Sequence, residues 1–332
     1  MVSLRDKRRM LNFATSALLV LVYLIIEGLL KLDILTSYDM QIISLVNINI
    51  ILVVSLNLIN GFTGQFSIGH AGFFGVGAYL SAYLTKYIGV PYFLALLCAA
   101  AAAALIGIAI GLPALRLRGD YLAIATLGFG EIIRIIILNI PSVGGARGFS
   151  GIPNYTSFGL TYLLAIITVV VIKNFIQSKH GRACVAIRED EIASESLGIN
   201  TTYYKVVAFA IGALFAGLAG GLFVHYMQYI SPTTGQIGFL KSIDILIMLV
   251  FGGLGSITGS IVAAIVLTLL PELLRGFAEY RMIIYPIILI IMMIFRPSGL
   301  LGGKELSYDY LIKVYQKLQN KLKKQEVTAG GN

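Results

Sequence analysis

Glu131 and Arg134 stand three residues apart in an otherwise apolar run, and Lys241 and Asp244 repeat that spacing. Residues three apart on a helix share a face, so each acid is placed to neutralise its base or to pass a proton. Neutralisation is the expectation, because nothing else in the chain extends either pair into a relay. An unpartnered charge at the centre of a bilayer costs at least about 2.5 kcal/mol. His70, His180 and His225 are far apart and unaccompanied, which suits packing hydrogen bonds better than metal or proton chemistry. Cys98 and Cys184 are isolated, so neither a disulfide framework nor a metal site follows from them. Gly299 to Glu305 (GLLGGKE) lacks the spacing and the Ser/Thr of a phosphate-binding loop, and no HExxH, GxSxG, CxxC or dinucleotide fingerprint occurs. The chain is expected to be no enzyme and to hold neither metal nor cofactor.

The remaining polar candidates are uncharged. Asn57 and Asn60 are expected on one helix face, where they would line a route for a zwitterion. Directly after them, Gly61, Gly64, Gly69, Gly72, Gly75 and Gly77 fall within 17 residues, interleaved with Thr63, Gln65, Ser67 and His70. Polar, glycine-broken backbone is tolerated at membrane depth only where protein or a water-filled cavity satisfies it. This predicts a re-entrant or unwound segment, with Asn57, Asn60, Gly64, Gln65, Ser67 and His70 along a solute pathway. Two further clusters, Gly212, Gly217, Gly220 and Gly221, and Gly252, Gly253, Gly255 and Gly259, read as close helix packing. Thr63-Gly64-Gln65 recurs 171 residues later as Thr234-Gly235-Gln236. That is where an inverted five-plus-five repeat would place equivalent elements.

These residues need an apolar scaffold, and composition supplies one. Of 332 residues, 58% are hydrophobic and 12% charged, against roughly a quarter charged in soluble domains, so the fold class expected is an all-α integral membrane protein. Windows of about 20 apolar residues predict ten spans, near 12–30, 41–60, 67–85, 91–112, 120–139, 159–177, 205–226, 238–254, 256–271 and 282–296. The start is basic then apolar, but no small-residue cleavage site follows Leu18 to Ile26, so it reads as a retained first span.

Starting inside, the cytoplasmic segments hold sixteen Lys and Arg, including Arg5, Lys7, Arg8, Arg9, Arg116, Arg118 and the five lysines of 313–324; the outer loops hold five. Both termini are therefore expected in the cytoplasm. The net charge of +9 is a juxtamembrane pattern rather than a nucleic-acid footprint. The membrane domain is expected over 1–303, with a polar, Lys-rich tail over 304–332.

One long polar island, 178–204 with Lys205 behind it, interrupts this apolar chain and is expected on the cytoplasmic side. Asp190 to Leu197 predicts a two-turn helix stopped by Gly198 in the left-handed cap conformation, with Ile199 packing back. Glu191 and Glu195 are expected to be solvated acids that repel each other at i,i+4 spacing. A short helix with no catalytic pattern of its own suggests a surface that a soluble partner grips.

Asn60 to Leu84 (NGFTGQFSIGHAGFFGVGAYLSAYL) closely resembles the signature of branched-chain amino-acid ABC transporter permeases. Arg116 to Arg134 (RLRGDYLAIATLGFGEIIR) resembles the LivM-type subunits, Gly144 to Pro153 (GGARGFSGIP) their external loop, and Gly181 to Gly198 their cytoplasmic coupling loop. The resemblance runs from Ile43 to Leu301. It implies a type II importer-like permease in a bacterial or archaeal cell membrane, paired with a second permease subunit. It further implies two ATP-binding subunits and an extracytoplasmic substrate-binding protein as partners. The substrates implied are leucine, isoleucine and valine, with urea, short-chain amides or other amino acids as the alternative. A self-contained channel or secondary transporter is a second class, for which no charge relay or selectivity ring is found. The importer coupling motif E-A-A-x3-G is met at Ala193-Ser194-x3-Gly198, with the acid displaced to Glu191 and the I-x-L-P tail missing. The resemblance thus assigns ATPase coupling to the loop carrying Arg188, Glu191, Ala193, Glu195 and Gly198.

Overall fold

The computed structural model describes residues 20–30, 32, 36–117, 119–277, 287, 290, 294–296 and 299–301. These residues are mainly helical. Helix α1 (Val20–Leu30) precedes α2 (Ser37–Asn57), α3 (His70–Tyr83), α4 (Tyr92–Ala114), α5 (Asp120–Leu138) and α6 (Phe158–Gln177). Two short helices follow, α7 (Lys179–Glu189) and α8 (Glu191–Ser196), and then α9 (Thr201–Met227), α10 (Phe239–Gly252) and α11 (Ile257–Leu273). Several helix starts carry side-chain caps that satisfy otherwise orphaned N–H groups. The Thr36 hydroxyl accepts the Asp39 N–H while the Asp39 carboxylate accepts the Thr36 N–H, and Ser157, Asn200 and Ser256 cap α6, α9 and α11.

Among the described residues, five helices are long and apolar enough to cross a membrane: Ser37–Phe62, Tyr92–Ala114, Asp120–Leu138, Phe158–Gln177 and Thr201–Met227. Of these, α2 and α9 form the buried centre, with Ile51, Leu52, Leu56, Phe209 and Leu222 fully enclosed. Around them α4, α5 and α6 turn Phe93, Leu97, Tyr121, Ile124, Leu163 and Val170 outward. An apolar outer face on a helix that also packs inward suits lipid. Close packing accounts for the second glycine cluster and for Gly252 and Gly259 of the third, whereas Gly253 and Gly255, with φ +105° and +79°, form the turn between α10 and α11. A Cβ on Gly77 would stand 2.0 Å from the Gly217 carbonyl oxygen, and one on Gly259 would stand 2.1 Å from that of Gly252. Any larger residue at these crossings would push two helices apart.

The unwound segment read from the first glycine cluster is present. Helix α2 widens into a π-helical turn at Leu58–Phe62, residues 63–69 are non-helical, and α3 begins only at His70. The expected span 67–85 therefore starts late, and it ends in a second widened turn, Leu84–Ile88, closed by left-handed Gly89. The expected division of 238–271 falls at residues 253–256, between α10 and α11. A feature not anticipated is a small antiparallel ribbon, β1 (Phe149–Ser150) with β2 (Tyr229–Ile230), pairing Phe149 with Ile230. Lys86 Nζ donates to the Ser150 carbonyl at 2.6 Å and lies over the Phe149 ring, pinning this ribbon to the end of α3.

The two charged pairs part company. Arg134 Nε meets Glu131 Oε2 at 2.6 Å, and both side chains continue across the helix interface. Glu131 Oε1 accepts the Phe239 N–H that opens α10, while Arg134 Nη1 donates to the Pro232 carbonyl. Neutralisation combined with helix-to-helix bonding is thus met for this pair. Lys241 and Asp244 form no ion pair among the described residues: Lys241 is half-buried and Asp244 lies on the exposed face. His70 and His225 are buried hydrogen-bonding residues, and Cys98 and Cys184 are free. The basic N-terminus, the start of the first expected span, most of 282–296, residues 302–305 and the 304–332 tail lie outside the described residues.

Candidate functional site

The polar island folds as two helices where one was expected. Ser178 caps α7; Asp190 then takes an extended conformation and caps α8, its Oδ1 accepting the Ala193 N–H at 3.0 Å. Ala193 therefore serves α8 through its backbone. The helix ends as predicted on Gly198, whose φ is +80°. The Gly198 N–H donates to the Glu195 carbonyl at 2.9 Å and the Ile199 N–H to the Ser194 carbonyl at 3.1 Å, the two bonds of a Schellman cap. A Cβ at Gly198 would meet nothing within 4 Å, so the cost of a side chain there is conformational alone. Gly198→Val should cost about 1–2 kcal/mol. Hydrogen exchange at the Gly198 and Ile199 amides is expected to accelerate about tenfold, while Gly198→Asn, which tolerates the left-handed region, changes little. Equal exchange in the Val and Asn variants would refute the cap's importance.

The expectation of two solvated, repelling acids on α8 is corrected for Glu191, which is partly buried in an ion pair, whereas Glu195 stays exposed and is hydrogen-bonded. Glu191 Oε1 receives a hydrogen bond from Lys205 Nζ at 2.6 Å, with side chains 25% and 10% exposed. Glu195 Oε1 accepts from the Thr201 hydroxyl at 2.8 Å. Both acids reach back to the first turn of α9, because the cap at Gly198 folds that turn against α8. Two large apolar side chains are left outside beside the polar ones: Ile192 on α8 is 67% exposed and Leu197, at its C-cap, 82%. Sequence reading passed over both. The signal available was that large apolar side chains are out of place on a short, polar, capped helix unless something covers them.

The inner side of the island meets the unwound segment. Arg188, near the end of α7, donates from Nη1 to the Gly61 carbonyl at 3.0 Å, and its other nitrogens bind the Glu189 carboxylate. The Lys205 carbonyl accepts from Gln65 Nε2 at 3.1 Å. Gly64, with φ +71°, lies against the Arg188 stem, and a Cβ there would stand 2.8 Å from its Cγ. Asn60 closes the loop of the break, its amide bonded to both the N–H and the carbonyl of Ser67. His70 Nε2 lies 2.9 Å from Ser55 Oγ, whose hydroxyl proton goes to the Leu52 carbonyl. Gln65 Oε1 and His70 Nδ1 are buried and have no hydrogen-bond partner.

The structure thus gathers Asn60, Gly64, Gln65, Ser67 and His70 in one stretch, against the loop carrying Arg188, Glu191, Ala193, Glu195 and Gly198. Asn57 stands apart. Its amide bonds Gly255 N–H, the Ser256 carbonyl and Ser260 Oγ, each at 2.9 Å, on the turn between α10 and α11. The shared face expected for Asn57 and Asn60 fails because the π-helical turn begins between them and changes the angular step. Among the described residues no group of three or more His, Cys, Asp or Glu is placed to hold a metal ion.

Comparison with known proteins adds an independent line. The profile of the family described as "Branched-chain amino acid transport system / permease component" matches residues 40–295. The high-affinity branched-chain amino acid transport system permease protein LivM of Salmonella typhimurium is 39% identical over 276 residues, covering 73% of this chain and 64% of the relative. LivM of Escherichia coli is 40% identical with the same coverage. The permease protein LivH of Salmonella typhimurium is 31% identical over 166 residues, 49% of this chain and 53% of the relative. The chain thus matches a little under two thirds of the length of the LivM relatives. No solved structure matches it significantly.

Proposed function

The chain belongs to the family of branched-chain amino acid transport permease components, and from that premise we propose that it is the membrane subunit of an ATP-driven importer for leucine, isoleucine and valine. In this reading it forms half of the pore with a second permease subunit, while two separate ATP-binding subunits hydrolyse ATP on the cytoplasmic side. An extracytoplasmic binding protein delivers the substrate. The observation that carries the reading is the capped α8, which exposes Ile192 and Leu197 outward and is tied through Lys205 and Arg188 to the unwound segment inward. A partner that holds the outer side differently in two nucleotide states would bias the pore between two conformations.

The multi-pass arrangement proposed is ten spans in an inverted five-plus-five repeat, with both termini cytoplasmic. Thr63-Gly64-Gln65 and Thr234-Gly235-Gln236 support it, each standing in a non-helical stretch ahead of a shorter helix, α3 or α10. The Ala71 N–H donates to Ser242 Oγ across the same 171-residue interval, as equivalent positions near a pseudo-two-fold axis would. The pathway proposed runs along Gly64, Gln65, Ser67 and His70, with Asn57 and Asn60 holding its walls. Support comes from the two unpartnered acceptors. Because the Ser55 hydroxyl donates to Leu52, the network assigns the His70 proton to Nε2 and leaves Nδ1 bare, as Gln65 Oε1 is bare. A buried acceptor without a donor is costly, and an amino-acid substrate brings an ammonium with three N–H donors.

The test is leucine uptake in proteoliposomes. Uptake is expected with the full set of partners and ATP, and none with this chain alone; concentrative uptake by the single chain would overturn the proposal. Cysteines at Gln65, Ser67 and His70 should react with small water-soluble thiol reagents to an extent that changes with nucleotide state. The native Cys184 gives little background, since burial pushes its thiol up to about 11 and keeps it neutral near pH 7. Three unreactive positions in every state would remove the segment from the route.

A further inference from the structure

We propose that Arg188 is the positioning residue through which movement of α7 and α8 reaches the unwound segment and the α10–α11 turn together. This role rests on the reading of α8 as an ATPase-driven surface. Arg188 lies in the loop assigned to the partner, yet its guanidinium is turned inward. Nη1 donates to the Gly61 carbonyl, and a Cβ on Gly255 would stand 3.1 Å from the same nitrogen. On its other side the fork is held by Glu189, from Nε at 3.0 Å and from Nη2. The stem fills the space beside Gly64.

Two segments far apart in sequence converge on this one side chain. Gly61 and Gly255 are so close that a Cβ on Gly61 would stand 2.4 Å from the Gly255 nitrogen. Asn57 bonds that same nitrogen and the Ser256 carbonyl, so the end of α2 and the α10–α11 turn are already one mechanical piece. The Gly61 carbonyl belongs to the last, widened turn of α2, where terminal carbonyls lack intrahelical partners. Arg188 supplies one of these from outside the helix. A planar guanidinium with five fixed donors transmits direction as well as distance, whereas a lysine ammonium on a flexible stem transmits neither well. Lys205, the other tie, reaches Gln65 only through its backbone carbonyl. Arg188 is therefore a side-chain link from α7 to both segments, and the glycines at 61, 64 and 255 are what let it approach.

The experiment uses the full complex in proteoliposomes and measures ATP hydrolysis, leucine uptake and ATPase-subunit retention in parallel. With Arg188→Ala, retention and hydrolysis should stay within about twofold of wild type while uptake per ATP falls about tenfold, within the usual span of coupling between sites. Arg188→Lys should recover part of the ratio, because it keeps the charge and a donor but not the fork. A cysteine at Ser67 should lose its nucleotide-dependent reactivity in the Ala variant. An unchanged uptake-to-hydrolysis ratio overturns the proposal, as does loss of ATPase retention, which would place Arg188 in the partner interface. Should the Ala variant fail to accumulate, the Lys variant carries the same test, and its ratio must drop. A wild-type complex whose uptake ignores ATP overturns the underlying reading and this role with it, a result distinguishable before any variant is made.

Discussion

On the proposed reading, complexes carrying Glu191→Ala are expected to lose their ATPase subunits, although the Glu191 carboxylate is turned toward α9. Its carboxylate holds the Lys205 ammonium at 2.6 Å, and the lysine side chain is only 10% exposed. Removing one member of a buried pair leaves the other uncompensated, at about 3–5 kcal/mol; with Glu191 itself a quarter exposed, the lower end applies. About 3 kcal/mol is roughly a hundredfold in an equilibrium. Because α8 has six residues and little packing of its own, that penalty falls on its docking against α9. Lys205→Met should cost less, since the orphaned carboxylate can turn to water. The double variant Glu191→Leu/Lys205→Met should come closest to wild type, because replacing both charges removes the unpaired one. The measurements are thermal unfolding of the purified chain and ATPase retention after washing. A Glu191→Ala protein that equals wild type in both would sink this account.

The same bond explains why the island acts as a stiff body. Its two helices begin on the capping side chains of Ser178 and Asp190, α8 ends on Gly198, and Asn200 caps the start of α9. Orphan backbone groups at four helix ends are thereby satisfied without help from a partner. Two ties then run inward, Glu191 to Lys205 to Gln65, and Arg188 to Gly61. A load applied to Ile192 and Leu197 reaches the break in α2–α3 through hydrogen bonds of fixed geometry rather than through a flexible loop.

How much of this was legible in the sequence depended on whether the cause was local. Gly198 was legible because a helix stop is written within a few residues. The break at 63–69 was legible because glycines alternating with Thr63, Gln65, Ser67 and His70 fit no lipid-facing helix. The division near Ser256 followed from the two apolar windows on either side of it. The partners of Glu191, Arg188 and Asn57 were not legible: they lie 14, 127 and about 200 residues away, beyond any periodicity. Reading Glu191 and Glu195 as repelling acids assumed an isolated helix. The π-helical turn at Leu58–Phe62 also escaped, since one extra residue per turn leaves no compositional mark, and it is what separates Asn57 from Asn60. Lys241 and Asp244 show the converse failure, where correct spacing met a helix that turns one charge inward and the other out.

Replacing Ile192 and Leu197 with serine should abolish stable ATPase binding while leaving the permease itself intact. Both side chains are largely exposed in the single chain, 67% and 82%, so their removal opens no buried cavity and breaks little internal contact. Covering an apolar side chain of this size completely is worth about 1.5–3 kcal/mol. Interface ordering takes back part of that, so the double variant should lose about 3 kcal/mol, roughly a hundredfold in affinity. Serine is preferred to aspartate at 197 because a carboxylate beside the α8 C-terminus would oppose the helix dipole and confuse the result. The affinity of detergent-solubilised permease for its ATPase subunits, titrated directly, reads the effect. The thermal midpoint of the chain alone should not move, which separates this outcome from that of Glu191→Ala, where the midpoint and the affinity fall together. Undiminished affinity in the double variant would mean that the partner holds the island by its charged side chains, and the apolar surface of α8 would then lack a function.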